Sequence, residues 1–324
     1  MSLPGPAEPT ERVALSLVIP LYNEAALFDQ LRSRLLGVLP LLPGPTEILL
    51  VNDGSNDETG KRIDQLCHED ARFLGVHLSR NFGHQMAVCA RLELARGQAV
   101  AVLDGDLQDP PETLPTFYAK LKEGYDVVYA IRRARKENPF LRFFYWVFYR
   151  LLAGLTPIQI PLDSGDFSLM TRRVVEAVKA MPERRRFVRG MRSYVGFRQT
   201  GLAYERQERA GGRSKYTLRK LVALAADGIF TFSEVPLRLA TVVGFGTAGF
   251  SLGYAVYLLL WRVFSGTELP GFATLGVGLF FLGGVQLICL GILGEYIGRI
   301  HHEVKQRPPY LVDRVERATN GGTE

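Results

Sequence analysis

The sequence predicts an α/β domain built on a mostly parallel sheet, followed by a hairpin of two transmembrane helices. Short apolar runs alternate with helical patterns between residues 14 and 106, which is typical of strand–helix–strand units. Polar turns follow these runs. Further along, uncharged stretches of 23 and 26 residues lie between Arg238 and Arg262 and between Glu268 and Glu295, long enough to cross a bilayer.

The first half of the chain contains four predicted strands and three predicted helices. The strands cover residues 14–20, 46–54, 73–79 and 99–106, and the helices cover 24–39, 59–70 and 86–97. Asn23 is predicted to cap the first helix, and Ser55 with Glu58 has the spacing of a capping box for the second. Because parallel strands present their carboxyl ends at one edge, the turns Pro20–Glu24, Asn52–Asp57 and Asp104–Asp109 are expected to meet in one crevice.

The segment DGDLQDPPE, residues 104–112, has four carboxylates in nine residues. Asp109 and Glu112 flank two prolines and are interpreted as helix-capping residues. Asp104 and Asp106 remain, and two carboxylates at this spacing repel each other unless a cation lies between them. Mg²⁺ or Mn²⁺ would remove that repulsion and still leave coordination positions for phosphate oxygens.

Other sites with paired aspartates fit this segment less well. A calcium loop of the EF-hand type needs Gly and Glu where Asp109 and Pro115 stand. A phosphatase with an aspartyl nucleophile needs Thr or Val in place of Gln108. No GxGxxG pattern follows the first strand, which argues against a nicotinamide-dependent enzyme.

Five motifs in a fixed order provide the most specific signal: VIPLYNE, VNDGSND, LSRNFGHQ, DGDLQDPPE and GDFSLM. From about residue 14 to about residue 310 the chain resembles family 2 inverting glycosyltransferases, in particular the polyprenyl-phosphate branch that includes bactoprenol glucosyltransferases and dolichyl-phosphate mannose synthases. The resemblance implies a GT-A fold and a nucleotide-sugar donor. The QxxRW motif of processive polysaccharide synthases is missing, which favours transfer of a single sugar.

The resemblance also implies the roles of individual residues. It predicts a nucleotide-sugar site formed by Pro20, Tyr22, Glu24, Asp53, Asp104 and Gln108, in which Asp53 faces the base. It predicts metal ligation by Asp104, Asp106 and Gln108, and catalytic roles for Asp106 and Asp166. Two structural alternatives stay open: Asp53 with Gly54 can be a simple turn pair, and Asp166 can cap a turn beside Gly165.

The second half of the chain predicts the membrane arrangement. Residues 1–12 are expected to be a flexible tail without a secretory signal, residues 13–235 the GT-A domain, and residues 239–261 and 269–294 the two transmembrane helices. Two crossings return the chain to its starting side, so the basic tail 295–324 is expected in the cytoplasm with the catalytic domain. The alternative is a pair of buried core helices. Glycines in both spans predict close helix packing and a homo-oligomer.

Two further segments are predicted to rest on the inner membrane surface. Residues 138–155 carry seven aromatic side chains, and residues 214–235 place basic residues before an apolar run; a buried core helix is the alternative for the first. An acceptor present at this surface is a polyprenyl phosphate. The cations predicted to bind its phosphate are Arg132, Arg133, Arg213 and Lys215.

Composition narrows the partners. A net charge of +6 and a pI near 9.2 suit an anionic membrane surface, and motifs for reading nucleic-acid bases are missing, so no nucleic-acid partner is predicted. Three cysteines without a CxxC pair indicate neither a disulfide framework nor a thiolate zinc site.

The predicted reaction moves one sugar from a UDP-hexose, UDP-glucose first, to undecaprenyl phosphate. The alternatives are a GDP-mannose donor, a lipid or glycan hydroxyl acceptor, and a noncatalytic membrane scaffold. For a hydroxyl acceptor Asp166 would be an indispensable general base, whereas for a phosphate it would serve in positioning.

Overall fold

The structure is a computed structural model that describes residues 13–133, 164–184, 186–205, 233–265 and 271–318. The chain divides into two units, a sheet-based α/β domain and a helical hairpin. A mixed, mostly parallel sheet and two long apolar helices near the C-terminus confirm the predicted fold class.

Eight strands of the described residues form one sheet. Their bounds are β1 Leu15–Leu21, β2 Thr46–Asn52, β3 Phe73–Leu78, β4 Ala99–Val102, β5 Val127–Arg133, β6 Ser164–Thr171, β7 Gln199–Glu205 and β8 Val312–Glu316. The order across the sheet is β7-β5-β6-β4-β1-β2-β3-β8. The four strands β4, β1, β2 and β3 are parallel, as expected. β6 lies antiparallel between β4 and β5, and β8 lies antiparallel to β3.

Six α-helices among the described residues of the domain cover the two faces of this sheet. Their bounds are α1 Phe28–Val38, α2 Thr59–Glu69, α3 His84–Leu94, α4 Leu114–Lys122, α5 Arg172–Lys179 and α6 Val188–Tyr194. Successive side chains of a strand point to opposite faces. Leu17 and Ile19 of β1 accordingly pack in the cluster with α1, α2 and α4, while Val18 packs in the cluster with α3, α5 and α6. Burial on both faces explains why these strands are continuous apolar runs.

The predicted helix caps are wrong. A single 3₁₀ turn precedes α1, which begins only at Phe28. Asn23 adopts a positive φ of 54°, and its Oδ1 accepts a hydrogen bond from the Asn56 N–H at 2.9 Å. In return the Asn23 N–H donates to Ser55 Oγ at 3.0 Å, and Glu58 makes no capping hydrogen bond. Asn23 and Ser55 therefore hold the two turns together, and the first N–H of α2, that of Thr59, donates to Asp57 Oδ1 at 3.0 Å.

The hairpin consists of α7, Val235–Ser265, and α8, Phe272–Val304. Both helices are long and apolar enough to cross a membrane. Large apolar side chains such as Phe245 and Phe280 are exposed, as expected for helices surrounded by lipid. The Tyr296 hydroxyl donates to the Ser233 carbonyl at 2.6 Å, so the end of α8 lies beside the start of α7.

The glycines of the hairpin lie at open positions. A Cβ atom added at any of them would have no atom within 4 Å among the described residues; these positions are Gly244, Gly246, Gly249, Gly253, Gly276, Gly278, Gly283 and Gly284. They are therefore not used to pack α7 against α8. The homo-oligomer that they suggested stays a prediction.

The C-terminal segment is more ordered than the tail expected for residues 295–324. The helix α8 continues to Val304, and Val312–Glu316 form β8 at the edge of the sheet, with Val312 opposite Leu78 and Glu316 opposite Gly75. A five-residue strand with three charged positions has too weak an apolar pattern to be predicted from sequence, and it is suited to a solvated sheet edge.

Candidate active site

The turns after β1 and β2 form one side of the crevice at the carboxyl edge of the sheet. Besides the bonds between Asn23, Ser55 and Asn56, the Glu24 N–H donates to Thr59 Oγ1 at 3.0 Å and the Ala25 N–H donates to an Asp57 carboxylate oxygen at 3.2 Å. These bonds join the first two strand ends into one rigid rim. Pro20 lies within β1, where it pairs with Val51.

Asp53 holds the loop that follows β3. Its side chain is buried, and its two carboxylate oxygens accept hydrogen bonds from the N–H groups of Phe82 at 2.7 Å and Gly83 at 3.0 Å. Burial raises the pKa of Asp53 above its ordinary value, against these two hydrogen bonds, which lower it. Each oxygen retains a second lone pair, so contact with a base stays a prediction alongside this structural role.

Gly54 allows that loop to cross the end of β2. Its φ is +65°, and a Cβ atom added there would lie 2.4 Å from the carbonyl carbon of Arg80 and 2.4 Å from the nitrogen of Asn81. Backbone cannot move away as a flexible side chain can, so this position requires glycine. The NDG turn therefore fixes where the loop leads into α3.

Asp104 has the environment expected of a cation ligand. Its Oδ1 is buried and has no hydrogen-bond partner among the described residues. Burial, with the charges of Asp109, Asp166 and Asp106, raises the pKa of Asp104 to about 7. Asp106 Oδ1 accepts a hydrogen bond from the Gln108 N–H at 3.1 Å. His84 Nε2 lies 3.5 Å from Asp104 Oδ1, too far for a good hydrogen bond, so a bound cation would still relieve the cost of this buried carboxylate.

Asp109 is a buried member of this group, and the predicted capping roles of Asp109 and Glu112 are wrong. The Tyr204 hydroxyl donates to Asp109 Oδ1, while Asp109 Oδ2 is buried without a hydrogen-bond partner among the described residues. Glu112 instead forms a salt bridge with Arg34 at 2.6 Å. Neither residue is the N-cap of the helix, which is Pro110; Glu112 lies in its first turn.

The antiparallel strand β6 brings Asp166 to the aspartates that follow β4. Val102 pairs with Ser168, so continuing the register by two residues places Asp104 opposite Asp166. His84 bridges the two, with its Nε2 3.5 Å from Asp104 Oδ1 and 3.4 Å from Asp166 Oδ2. Burial lowers the pKa of His84, but the hydrogen bond to Asp166 and the two negative charges outweigh burial and raise it overall.

Asp166 is held as an anion. Burial favours its protonation, but contact with His84 and the charges of Arg189 and Arg192 outweigh burial and hold the pKa of Asp166 well below its ordinary value. Arg189 Nη2 lies 3.3 Å from Asp166 Oδ1. The alternative in which Asp166 only caps a turn beside Gly165 does not account for these contacts.

Gln85 connects three elements around Asp166. Its Nε2 donates to Asp166 Oδ2 at 2.9 Å, and its Oε1 accepts a hydrogen bond from the Val188 N–H at 2.9 Å. Since the amide needs its nitrogen toward the carboxylate and its oxygen toward the N–H, both contacts fix its orientation. The start of α3, strand β6 and the start of α6 are thereby held in register.

Arg192 supplies a buried positive charge behind this group. It is 1% exposed, and its guanidinium carbon lies 5.2 Å from the centroid of the Tyr129 ring. Burial lowers the pKa of Arg192 to about 10, although the charge of Asp166 raises it. The guanidinium is therefore still charged at neutral pH and stabilises the Asp166 anion.

Several predicted site residues fall outside the described residues. Arg132 and Arg133 end β5, but their side chains are not among the described ones, and neither Arg213 nor Lys215 is described. The interfacial segments 138–155 and 214–232 also lie outside the described residues. Their roles stay predictions.

Sequence reasoning gave no role to His84, Gln85, Arg189 or Arg192. The first two belong to the quoted motif LSRNFGHQ, but the predicted helix began at residue 86, whereas α3 begins at His84. The available signal was a histidine and a glutamine directly after Gly83, at the start of a helix on the edge of the crevice.

The chain is similar to known proteins along most of its length. Residues 16–179 match the sequence family described as glycosyl transferase family 2, and residues 235–300 match the family described as the GtrB C-terminal hairpin. An uncharacterized glycosyltransferase of Synechocystis sp. is 46% identical, covering 93% of this chain and 95% of that one. The bactoprenol glucosyl transferase of Shigella phage SfII is 39% identical, covering 94% of this chain and 98% of that one.

Among solved structures, the chain is similar to a mannosyltransferase from Pyrobaculum calidifontis in complex with GDP-Man and Mn²⁺. The two chains are 16% identical, the match covers 95% of this chain and 92% of that one, and the TM-score is 0.47. The sequence matches are decisive on their own because they include both the catalytic region and the hairpin. The chain therefore belongs to glycosyl transferase family 2, and its residues 235–300 form a hairpin of the GtrB type.

Proposed function

We propose that this glycosyltransferase moves one hexose, with glucose as the first choice, from a UDP-sugar to a polyprenyl phosphate such as undecaprenyl phosphate, at the cytoplasmic face of the cell membrane. The observation that carries the proposal is Asp166, a carboxylate that His84, Gln85 and Arg189 hold as an anion close to Asp104. A carboxylate with a depressed pKa is a weak base, which suits an acceptor that needs no deprotonation. The names of relatives such as the bactoprenol glucosyl transferase support the same acceptor.

The proposed reaction is a single displacement at the anomeric carbon of the sugar. An oxygen of the acceptor phosphate forms a bond to this carbon while the bond between the carbon and the donor diphosphate breaks, and the electron pair leaves with UDP. A phosphate monoester has a second pKa near 6 and is largely dianionic at neutral pH. Asp166, with Gln85 and Arg189, would keep the acceptor phosphate and the surrounding cations in place.

A divalent metal fits the residues at the donor side. Asp104 Oδ1 and Asp109 Oδ2 are buried carboxylate oxygens without hydrogen-bond partners among the described residues. No group of three or more His, Cys, Asp or Glu side chains within the described ranges is arranged to hold a metal, so Asp104 and Asp106 would share the ion with donor phosphates and water, which is usual for Mg²⁺. When bound, such an ion stabilises negative charge on the diphosphate as a Lewis acid.

The acceptor phosphate needs cations of its own. We assign Arg132, Arg133, Arg213 and Lys215 to this role because arginine and lysine bind phosphate oxygens strongly. The hairpin supports a lipid acceptor, since it would keep the catalytic domain at the surface where the phosphate of a polyprenyl chain lies.

Transfer assays with membranes containing the protein test this function. Radiolabelled UDP-glucose, other UDP-hexoses and GDP-mannose are supplied with and without added undecaprenyl phosphate. We expect label in the lipid fraction from a UDP-hexose, increasing with undecaprenyl phosphate. Labelling from GDP-mannose alone would assign a mannose donor, and labelling that ignores undecaprenyl phosphate but increases with an added glycolipid would assign a hydroxyl acceptor.

The metal requirement has its own test. Asp106→Asn removes one proposed ligand charge, so we expect it to lose most transfer activity while the protein still inserts in the membrane. EDTA should inhibit the wild type, and Mg²⁺ or Mn²⁺ should restore it. Near-normal turnover of Asp106→Asn in the presence of EDTA would contradict the site.

A further inference from the structure

A polar cavity of about 390 Å³ opens where β2 and β3 end. Residues from both strand ends and from β8 line it, among them Tyr22, Asn52, Ser55, Arg80, Asp313 and Arg314. Tyr22 is 44% exposed, which leaves the face of its ring available for stacking. The cavity continues from the rim to which the nucleoside of the donor was assigned, and the last strand of the chain forms its outer side.

Arg314 is joined to the crevice rim by a chain of polar side chains. Its Nη2 lies 2.6 Å from Asp64 Oδ2, and Asp64 Oδ1 lies 2.8 Å from His77 Nε2. His77 Nδ1 lies 3.1 Å from Asn52 Nδ2, and Asn52 Oδ1 accepts a hydrogen bond from the Ser55 N–H at 2.8 Å.

The directions of these bonds are determined. Because Asn52 Oδ1 is used by Ser55, its Nδ2 must face His77, whose Nδ1 is then the acceptor and whose Nε2 carries the proton. His77 Nε2 is close to Asp64 Oδ1, but the two atoms do not have the geometry of a hydrogen bond. Burial lowers the pKa of His77, in agreement with a neutral ring. The ion pair with Asp64 thus fixes Arg314 at the cavity edge, although half of its side chain is exposed at 49%.

We propose that β8, the strand that follows the membrane hairpin, forms the outer wall of the nucleoside site, and that Arg314 contacts the polar edge of the donor's base. The proposal deepens the function assigned above and rests on it. A uracil ring presents two carbonyl acceptors on either side of an N–H donor. The guanidinium of Arg314 offers donors and the carboxylate of Asp313 offers an acceptor, while Tyr22 offers an aromatic face.

The residues assigned to the nucleoside site lie both before and after the hairpin in the chain. The nucleotide site begins at β1 and is completed by residues 313 and 314, beyond the hairpin. The donor site of the full protein is therefore complete only once the chain has passed through both hairpin helices and β8 has paired with β3. The charged residues of β8 would then bind the nucleoside as well as keep the edge of the sheet polar.

Measurements of UDP binding to the full-length protein in detergent test whether β8 and Arg314 form part of the nucleoside site. Arg314→Ala is compared with Arg317→Ala, which removes an exposed arginine just past β8. We expect UDP affinity to fall about 10-fold or more in Arg314→Ala, the usual loss for a hydrogen bond to a charged group. It should change less than about twofold in Arg317→Ala. Equal UDP affinity in wild type and Arg314→Ala would overturn the proposal.

Two further measurements separate a base contact from other causes. Inhibition by inorganic pyrophosphate should be the same in wild type and Arg314→Ala; an equal loss for pyrophosphate would show a phosphate contact and overturn the assignment. Asp64→Asn keeps Arg314 and removes only its ionic partner, so we expect a smaller loss than in Arg314→Ala. An equal loss would mean that the wall acts only through the polar chain to Ser55.

The nucleotide that the wild type binds distinguishes failure of this inference from failure of the proposed UDP-sugar donor. If it binds GDP instead of UDP, and Arg314→Ala weakens GDP, the UDP assignment fails and the wall stands. If it binds UDP and Arg314→Ala does not change this, the wall fails and the donor stands.

Discussion

Under the proposed function, Asp166 is the residue that would distinguish a phosphate acceptor from a hydroxyl acceptor. Its contacts with His84, Gln85 and Arg189 hold it as an anion, and the resulting low pKa makes it a poor proton acceptor. Its value to the reaction is then its charge and its position, since a dianionic phosphate is already a nucleophile.

Asp166→Asn keeps the size of the side chain and removes its charge. We expect the transfer rate to fall by about tenfold, against the ~10²–10⁴-fold typical of a lost general base. The pH dependence should follow the acceptor's pKa near 6. Turnover at saturating donor from pH 5.5 to 8.5 measures both, with the exposed Asp29→Asn as control. A loss above about a thousandfold at every pH would indicate a general base and a hydroxyl acceptor.

Asp104 is expected to oppose stability when no metal is bound. Its pKa is raised from 3.8 to about 7, so the folded protein keeps a proton that the unfolded chain releases between these values. Stability of the metal-free protein therefore decreases as pH rises through this window, and the full cost is present above it.

Asp104→Asn removes this buried charge. In EDTA at pH 8 we expect the variant to be more stable than the wild type, by roughly 1–3 kcal/mol, with the difference shrinking as pH falls toward 4. Thermal unfolding in detergent at several pH values measures this, and Mn²⁺ should raise the midpoint of the wild type only. A variant less stable than wild type at pH 8 would contradict the cost assigned to Asp104.

Gln85 is predicted to act through Asp166 as a positioning residue. Gln85→Glu replaces the amide that donates to Asp166 by a second carboxylate, so we expect kcat to fall about 100-fold by repulsion while the KM for donor changes little. Gln65→Glu, on the exposed side of α2, is the matched control. An increase in donor KM with unchanged kcat would place Gln85 at the donor instead.

How far the sequence predicted the site depended on the range of the contacts. Asp104 and Asp106 are local, and their spacing alone indicated a cation. Asp166 required the resemblance to a family, because nothing in its own segment shows that it lies opposite Asp104. His84 and Gln85 were missed because their partners are distant in the chain, at positions such as Asp166 and Val188.

The elements show the same division. The parallel strands β1 to β4 were predictable because strands buried on both faces are continuous apolar runs. The antiparallel direction of β6 was not, since thirty residues separate it from β5 and pairing is decided by the partner strand. The short strand β8 carries charged side chains, and its position depends on pairing with β3 and on an ion pair with α2, both distant in the chain.

At the level of elements, Gly54 determines the path of the loop from β3 to α3. Gly54→Ala would place a methyl group 2.4 Å from backbone atoms of Arg80 and Asn81 at a positive φ, so the loop must move. We expect a loss of stability of about 1–3 kcal/mol and a larger loss of activity, because the loop leads into α3, whose first residues are His84 and Gln85. Gly37→Ala, in α1 with no atom within 4 Å, is the control and should be neutral or slightly stabilising.

The whole molecule restricts how the hairpin can cross the membrane. β1 to β7 precede the hairpin and β8 follows it, yet β8 pairs with β3 in the same sheet. A sheet cannot be divided by a bilayer, so the chain must cross an even number of times between them. Two helices of membrane-spanning length satisfy this requirement, and the basic segment after α8 supports the proposal that both ends lie in the cytoplasm.

Cysteine labelling in intact cells tests this topology. With a cysteine-free background, a single cysteine at Thr267, between the helices, should react with a membrane-impermeant maleimide from outside. One at Thr319, just after the segment that holds β8, should react only after the cells are opened. A third at exposed Asp29 on α1 should behave like Thr319, because β8 binds the C-terminal segment to the same sheet.

Labelling of 319 but not 29 from outside would mean that β8 does not pair with β3 in the membrane-bound protein. Labelling of both from outside, with 267 protected, would reverse the orientation but keep the even number of crossings.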